Sequence, residues 1–310
     1  RPDALLGQTN LWLDTEATYK IVKVEKEKWV VGEKAVDKIN NQFRKAEVIG
    51  SIKATELIGK WVKGPLVDYE LYILPANFID VDVGSGIVYS ALEDPVDLFE
   101  LKKLQTDTKI LKKYNLDKEV VSKLKPISII RIDGMSDNLG EDIGKEFAVR
   151  SSDDKENLEN AKSELNKRVF TKGVMKKNCG KYSGLPVPET QEMLKKELVA
   201  SKDAVMFYEI TGRVVCRCLT ECIVKIVSDQ WFIQYDDPEW KKIAHKCLDK
   251  MEVTPEIVRK QFEYVLDWLR GWACTREYGL GTKLPWDQKW VIESLSDSTI
   301  QMAYSTISKY

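Results

Sequence analysis

Short runs in which apolar and polar residues alternate dominate the first 90 positions of the chain. Alternation of this kind, with β-branched and aromatic residues at the apolar positions, is typical of β-strands. Residues 35–44 are the one segment among these runs with helical spacing. Many short strands with few helices predict a β-barrel-like or sandwich-like core in an α+β domain, rather than a parallel sheet. The predicted strands are residues 5–13, 18–24, 28–32, 46–52 and 69–74.

Helical patterns alternate with short strands in the rest of the chain. The charged face of residues 94–114 is more typical of a solvated helix than of a polyanion site. Ser152, Asp237 and Thr254 each precede a helical run and are predicted N-caps. The predicted helices are residues 94–114, 153–167, 188–200, 238–251 and 255–272, and the predicted strands are 126–133, 204–209 and 212–227.

The helices at residues 238–251 and 255–272 each carry an apolar stripe that predicts a buried face. Trp240, Ile243, Ala244, Cys247 and Met251 form the first stripe. The second stripe consists of Val258, Phe262, Val265 and Leu269.

Residues 74–97 carry the most chemistry in the first half of the chain. Glycines on both sides of Ser85 let the backbone approach a second strand or a ligand closely. The polar loop that follows delivers carboxylates at Glu93, Asp94 and Asp97. A Gly-Ser-Gly run between apolar segments is also the pattern of an ordinary tight β connection, so the glycines alone do not establish a site.

Residues 170–185 read FTKGVMKKNCGKYSGL and interleave lysines with glycines and aromatic residues. Such a segment can hold a single nucleic-acid strand through phosphate pairing and base stacking. A lysine-rich hairpin without a ligand is the alternative. Because the net charge of the chain is −1, any nucleic acid has to be met by a local patch of this kind.

Composition excludes several classes of site. With 310 residues the chain is long enough for about two domains, and it has no apolar run of about 18 residues that could span a bilayer. Its single histidine, His245, would have to serve any His-dependent nucleophile or metal site. Six irregularly spaced cysteines indicate reduced thiols in a cytoplasmic protein. Cys216, Cys218 and Cys222 invite a zinc interpretation, but their spacing favours three thiols on one strand face, and we predict no metal.

Several stretches together resemble archaeal- or eukaryotic-type leucyl-tRNA synthetases. The resemblance implies an editing domain at residues 1–203, inserted into a class I Rossmann-type catalytic domain that residues 204–310 re-enter. Because the chain begins at Arg1 without methionine, we expect a fragment. The segment at residues 268–304 is the most specific, and the others are residues 1–14, 56–62, 74–90, 170–187 and 227–242.

Editing domains of this family hydrolyse the ester of wrongly charged tRNA. They are needed because one hydrophobic pocket discriminates between amino acids that differ by a methylene by only about a hundredfold. The resemblance places Asp97 where the family binds the α-ammonium group, and Arg1, Asp3 and Ala4 in the family's threonine-rich strand. It implies contacts with the tRNA end from Ser85, Gly86, Lys172, Lys176 and Lys177. Editing requires no cofactor.

Three departures from the family pattern put this activity in question. Ala4 stands where the family has a threonine that obstructs cognate leucine. The loop at residues 91–96 is about one residue short and lacks the usual Pro-Ala-His run, and Thr171 replaces a histidine. Either the site accepts leucine as well or it has lost hydrolysis. The alternative hypothesis is therefore an editing-impaired, synthetase-like paralogue that binds tRNA or a leucine-like ligand without turnover.

The resemblance of residues 204–310 implies a wall of the aminoacyl-adenylate site, although core packing explains each residue equally well. Both ATP signatures of the family are absent from these residues, so we do not expect this chain to activate leucine. The parent enzyme would use ATP, Mg²⁺, leucine and tRNA(Leu), and would be a monomer. The wall residues are Trp272, Arg276, Glu293, Ser294, Asp297 and Ser298.

Overall fold

A computed structural model describes every residue except 43, 211 and 213, and for residues 297–300 and 302 it describes the backbone only. The chain forms two compact units, Arg1–Ile226 and Val227–Tyr310. The sequence-based boundary at residue 203 stays a prediction. Among the described residues, no helix combines the length and the apolar character needed to cross a membrane.

The first unit mixes small sheets with helices. A four-stranded sheet has the order β5-β6-β1-β7, in which β1 is parallel to β6 and antiparallel to β7. A second sheet has the order β3-β2-β4, and β8 pairs with β9. The strands are β1 (Asn10–Asp14), β2 (Thr18–Val24), β3 (Glu27–Val31), β4 (Ala46–Lys53), β5 (Trp61–Lys63), β6 (Glu70–Ala76), β7 (Ile87–Ser90), β8 (Ile130–Arg131) and β9 (Val174–Met175).

Helices of the first unit follow the apolar pattern closely. Leu101 and Leu104 pack in the core that contains Trp12 and Leu74 of the four-stranded sheet, and Leu98 is buried beside Gly140. A second core joins the helices after residue 138 to β8. The helices are α1 (Glu33–Gln42), α2 (Ala54–Leu57), α3 (Pro95–Thr106), α4 (Thr108–Lys113), α5 (Lys118–Lys123), α6 (Leu139–Glu146), α7 (Lys155–Lys172) and α8 (Val187–Ala200), with 3₁₀ helices at Pro2–Gly7 and Lys177–Tyr182.

The second unit contains two small antiparallel sheets, β10-β11 and β12-β14-β13, beside three helices. Trp290, Leu248 and Leu284 are its buried apolar residues among those described. No parallel pair of a Rossmann-type sheet occurs among the strand pairs described for this unit. Its elements are β10 (Phe232–Ile233), α9 (Pro238–Asp249), α10 (Glu256–Trp268), β11 (Trp272–Ala273), β12 (Thr275–Arg276), β13 (Lys283–Leu284), β14 (Asp287–Ile292) and α11 (Ser294–Ile307).

The mixed α+β class is confirmed, but the barrel is not closed, because the described strands form separate small sheets. The strand expected to contain Arg1, Asp3 and Ala4 is instead the 3₁₀ helix Pro2–Gly7. Pro2 has no N–H to donate to a ladder and its ring fixes φ near the helical value, which explains the change. The sheet begins only at Asn10.

The strand pair expected at residues 204–209 and 212–227 is also wrong for the described residues. Only an isolated bridge between Val215 and Glu221 occurs there, around a turn in which Leu219 has a φ of 65°. Positive φ at leucine breaks the extended run. The apolar side chains of this region, Val214 and Ile223 among them, remain exposed.

Helix-cap predictions had mixed outcomes. Asp237 caps α9 and accepts the N–H of Trp240 at 2.7 Å, as predicted. Ser152 and Thr254 do not cap, because α7 begins after Asp154 and α10 begins after Pro255.

The buried stripes predicted for α9 and α10 are also wrong: Ile243 is 60% and Phe262 is 47% exposed. An amphipathic helix needs a facing layer to bury its stripe, and this unit supplies little.

Candidate active site

The register of the four-stranded sheet brings the start of the chain next to residues 90–97. In the antiparallel pair of β1 and β7, Asn10 lies opposite Ser90, and the Thr9 N–H donates to the Ser90 carbonyl at 2.8 Å. The 3₁₀ helix Pro2–Gly7 enters β1, while β7 leads into α3. Arg1 and Asp3 are thereby placed near the carboxylates that follow the end of β7, Glu93 and Asp94.

Helix α3 begins in a way that fixes its first carboxylates. Asp94 is the N-cap and accepts the Val96 N–H at 2.9 Å, and Pro95 occupies the first helical position. The other Asp94 oxygen lies 3.1 Å from the Lys162 ammonium on α7. One residue therefore caps α3 and ties it to α7.

Asp97 lies in the first turn of α3 and is partly buried. The Ser90 hydroxyl donates to its Oδ2 atom at 2.7 Å. Burial raises the pKa of Asp97 to about 7, with a further rise from the charge of Asp94, while the Ser90 hydrogen bond and Lys162 lower it. A carboxyl of this kind changes charge near neutral pH and binds a cation most tightly in its ionised form.

Arg1 and Asp3 form a shielded pair at the edge of this cluster. Asp3 is completely buried and accepts from the Arg1 guanidinium at 2.7 Å and from the Gln191 amide at 2.7 Å. Burial lowers the pKa of Arg1, but the neighbouring carboxylates, with Asp3 foremost, together outweigh it and raise the pKa. Glu93 and Asp94 are among those carboxylates, so Arg1 lies within their electrostatic reach.

Glu93 is the most deeply buried carboxylate of the cluster, at 3% exposure. Its Oε1 atom accepts the N–H groups of Ile129 at 2.9 Å and Ile130 at 3.3 Å. Its Oε2 atom is buried and has no hydrogen-bond partner among the described residues. Burial raises the pKa of Glu93 to about 7, although the bond from Ile129 and the charge of Arg1 lower it.

Arg1 pairs with Asp3 and lies within electrostatic reach of Glu93 and Asp94, and the charge of Asp94 also acts on Asp97. Asp94 thus links Asp97 to the Arg1–Asp3 pair, and Ala4 continues the same 3₁₀ helix, partly buried. Sequence reasoning noted Glu93 and Asp94 only as loop carboxylates and missed Ser90 and Lys162. The Asp-Pro pair before the apolar stripe of α3 could have identified the cap. Nothing in the sequence signals Lys162, which lies 65 positions after Asp97.

Ser85 and Gly86 lie in a tight turn before β7. The Gly32 N–H donates to the Ser85 carbonyl at 2.7 Å, and the Tyr19 hydroxyl donates to the Gly86 carbonyl at 2.9 Å. Gly86 has a φ of 73°, and a Cβ there would stand 2.7 Å from the Val81 carbonyl oxygen, so glycine is required. The tight turn between strands is therefore sufficient to explain Gly86.

A cavity of about 620 Å³ adjoins this turn, with Ser85, Trp29, Tyr89 and Phe207 in its wall. Its lining includes none of Arg1, Asp3 and Asp97. The structure therefore does not place Ser85 in one cavity with the carboxylate cluster.

The three lysines singled out from the sequence have different surroundings. Lys172 ends α7 and is exposed. Lys176 lies between the Ser128 hydroxyl and Asp137, at 2.5 Å from each. Lys177 is exposed and begins the second 3₁₀ helix.

In the second unit, three of the predicted adenylate-wall residues converge. Glu293 accepts the Trp272 indole N–H at 3.0 Å and lies 3.7 Å from the Arg276 guanidinium. Ser294 is exposed. The side chains of Asp297 and Ser298 lie outside those that the structure describes.

Cys216, Cys218 and Cys222 belong to the tight turn around Leu219. The Thr220 carbonyl accepts the Cys216 N–H at 2.8 Å, and hydrogen bonds from Thr220 lower the pKa of Cys218 to about 7. Across the described residues, no three His, Cys, Asp or Glu side chains gather in a way that could hold a metal ion.

Comparison with known proteins relates the chain to one family. The leucine–tRNA ligase of Methanothermobacter thermautotrophicus is 41% identical over 310 residues, covering 99% of this chain and 33% of that enzyme. The leucine–tRNA ligase of Pyrococcus horikoshii is 42% identical over 316 residues, covering 100% of this chain and 32% of the enzyme. This chain thus spans about a third of the length of the curated relatives that it matches. No protein-family model matches it.

Solved structures give the same relationship. The crystal structure of GlLeuRS-CP1 matches with a TM-score of 0.61 and 26% identity, covering 68% of this chain and 82% of that one. The editing domain of the Plasmodium falciparum cytosolic leucyl-tRNA synthetase matches in fold with a TM-score of 0.60 and 20% identity, covering 67% of this chain and 76% of that one. Over its whole length the chain is therefore homologous to about a third of a leucine–tRNA ligase, and about two thirds of it share the fold of an editing domain of such an enzyme.

Proposed function

We propose that the first unit hydrolyses the ester bond of mischarged aminoacyl-tRNA, and that Asp97 holds the α-ammonium group of the amino acid. The observation that carries this proposal is the partly buried Asp97 carboxylate, which accepts the Ser90 hydroxyl and starts the same helix as Asp94, a carboxylate within electrostatic reach of Arg1. A carboxylate shielded from water attracts an ammonium group more strongly than an exposed one does. Binding of the ammonium group would in turn favour the ionised form of Asp97.

The reaction needs positioning more than a strong base. A water oxygen bonds to the carbonyl carbon, the bond from that carbon to the ribose oxygen breaks, and the ribose oxygen takes a proton. Free amino acid and deacylated tRNA result, so water is the sole co-reactant. Fixing the ammonium group at Asp97 holds the carbonyl in one place for attack, which is a large part of catalysis. Arg1, held by Asp3, supplies a fixed positive charge near the charge that develops on oxygen.

We also propose that residues 1–203 are the editing domain and that residues 204–310 belong to the catalytic domain of a leucine–tRNA ligase acting in the cytoplasm. The parent enzyme would charge tRNA(Leu) with leucine, using ATP and Mg²⁺, and would act as a monomer. No group of three metal-ligating side chains gathers among the described residues, and none of these residues is assigned to Mg²⁺. No step of the hydrolysis passes through either cofactor.

Single-turnover hydrolysis of Ile-tRNA(Leu) and Leu-tRNA(Leu) tests the proposal. We expect the chain to release isoleucine, and Asp97→Ala to slow release by about a hundredfold, the scale of losing a buried charged contact. Asp68→Asn, at an exposed position, is the matched control and should react like the unmodified chain. Equal rates for Asp97→Ala and the unmodified chain would remove Asp97 from the mechanism.

A binding module without turnover is the second candidate. Thr171, at the position where the family has histidine, is exposed and donates its hydroxyl back to the Lys167 carbonyl at 2.8 Å. Ala4 offers no hydroxyl. If tRNA(Leu) binds in a filter assay but no mischarged ester is cleaved above the uncatalysed rate, the module is the better description.

A further inference from the structure

A cationic groove of about 520 Å³ lies on the first unit, and the carboxylate cluster is not part of its lining. Arg131, Lys176 and Lys177 supply its positive charge, with Asn178 and Ser183 as neutral polar neighbours. These residues come from β8, β9 and the 3₁₀ helix that follows. The groove therefore collects much of the basic segment at residues 170–185.

The pairing of β8 with β9 aligns two of the cations. Arg131 lies opposite Val174, and the Lys176 N–H donates to the Ile129 carbonyl at 2.8 Å. Arg131 on β8 and Lys176, which directly follows β9, both line the groove. Ile130 and Met175 are buried in the core.

Nearby acidic groups neutralise this groove only weakly. Asp137 pairs with Lys176 but is 90% exposed, and Asp133 stands 3.7 Å from Arg131 and is 97% exposed. Exposed ion pairs contribute little and can exchange one anion for another. Lys177 forms no ion pair with any described residue, so at least one cation is free for a ligand.

The lining favours a nucleic-acid backbone over bases. Among the described residues that line it, Val174 and Met175 alone have apolar side chains, and none is aromatic. Phe170 projects from the end of α7, and the Tyr182 hydroxyl donates to Glu197 at 2.6 Å, away from the groove. Stacking needs such rings, whereas phosphates need cations and polar donors. The Ser183–Gly184 turn is open to the groove, and a side chain added at Gly184 would meet nothing within 4 Å.

One residue connects the groove to the candidate active site. The Ile129 N–H donates to Glu93, while the Ile129 carbonyl accepts the N–H of Lys176. The Ile129 backbone thus joins a lysine of the groove lining to Glu93 of the carboxylate cluster. An RNA chain whose 3′ end enters the cluster could leave along this wall.

We propose that the groove binds the phosphodiester backbone of the RNA whose aminoacylated end is hydrolysed at Asp97; this inference rests on the proposed function. Arg131 and Lys177 form the principal phosphate contacts, and Lys176 joins them when phosphate replaces Asp137. RNA is favoured over a free phosphate because the groove is open rather than enclosed and three cations line it, more than a single phosphate needs.

The test compares Arg131→Gln/Lys177→Gln with Lys181→Gln. Lys181 belongs to the same segment but pairs with Glu197 at 2.5 Å and does not line the groove, which makes it the matched control. Affinity for a tRNA(Leu) transcript is measured by filter binding at several salt concentrations. We expect the double variant to bind roughly tenfold more weakly at low salt and to lose about 1.5 from the slope of log K against log salt. Lys181→Gln should change neither quantity.

Hydrolysis of a 3′-aminoacyl-adenosine separates this inference from the proposed function. That ester carries no backbone for the groove, so the double variant should cleave it as fast as the unmodified chain, which also shows that the variant is folded. If no form of the chain cleaves any ester, the proposed function fails while weaker tRNA binding by the double variant still supports the groove. Unchanged affinity and salt slope in the double variant would overturn the groove, whatever happens to the ester.

Discussion

Ser90 donates its hydroxyl proton to Asp97 at 2.7 Å, across the corner at which β7 gives way to α3. The bond stabilises the ionised carboxylate and holds the pKa of Asp97 below the value that burial alone would give. Ser90 therefore increases the fraction of Asp97 that is charged at neutral pH, against the larger effects of burial and of the charge of Asp94.

Ser90→Ala should shift the pH dependence of hydrolysis to higher pH. Losing one hydrogen bond to a charged group raises the pKa of Asp97 by roughly one unit. Since the ionised form binds the ammonium group, the rate at pH 7 falls while the rate at pH 9 changes little. Single-turnover rates between pH 5.5 and 9.5 check this. Ser122→Ala, in the exposed helix α5, is the control, and a profile unchanged by Ser90→Ala would show that Ser90 does not act on Asp97.

Glu93 should make the folded state less stable as the pH rises. Its pKa is about 7 in the folded chain against 4.5 in the unfolded one, so the folded state binds more protons between these values. Unfolding free energy therefore falls between about pH 4.5 and pH 7, by on the order of 3 kcal/mol, and the loss is complete above pH 7. Urea unfolding at pH 5 and pH 8 measures the difference. In Glu93→Gln, which cannot titrate, the difference should shrink by about that amount; the same difference in both proteins would contradict the role of Glu93.

Ala4→Thr should change which ester is cleaved. Ala4 follows the buried Asp3, and the family's threonine at this place obstructs leucine. We expect the variant to hydrolyse Leu-tRNA(Leu) up to about tenfold more slowly, while its rate with Ile-tRNA(Leu) stays nearly unchanged. A rate difference of this size is typical of a small steric difference in one pocket. Ala4→Val has the same bulk without the hydroxyl and separates the two effects. Equal loss with both substrates would indicate damage to the site rather than selection.

Asp3 should be needed for stability as well as for positioning Arg1. Its buried carboxylate accepts from Arg1 and Gln191, so Asp3→Ala leaves two donors without an acceptor. Losing a hydrogen bond between charged groups costs about 2 kcal/mol here, because the Arg1 side chain left behind is 29% exposed and can be solvated. Asp3→Asn, which keeps an acceptor, should cost less. Chemical unfolding at pH 7 ranks the three proteins. If Asp3→Ala unfolds at the same urea concentration as the unmodified chain, the pair does not support the fold.

Local signals in the sequence predicted local structure well. Asp237 and the proline after it define the start of α9, because capping involves only neighbouring residues. The strands near residues 18–24 and 46–52 form as their alternation indicates. Burial of the stripes on α9 and α10 could not be predicted in this way, since it depends on what faces the helix.

The candidate site was predictable only in part for the same reason. Asp97 could be singled out by resemblance, but its partners come from distant segments. Lys162 reaches the cluster because α7 packs near α3, and a loop glutamate such as Glu93 would ordinarily be expected in solvent. Its burial follows from the N–H groups of Ile129 and Ile130, which need an acceptor in the core.

The backbone of Ile129 forms two hydrogen bonds, from its N–H to Glu93 and from the Lys176 N–H to its carbonyl. If β8 shifted by one residue, a different N–H would face Glu93. The backbone pairing of Lys176 would shift at the same time. Sequence changes near Ile129 are therefore constrained from two sides. A change that alters nucleic-acid binding in the groove also disturbs Glu93, which lies near Arg1. Compensating substitutions should therefore arise in pairs, one on each side of Ile129.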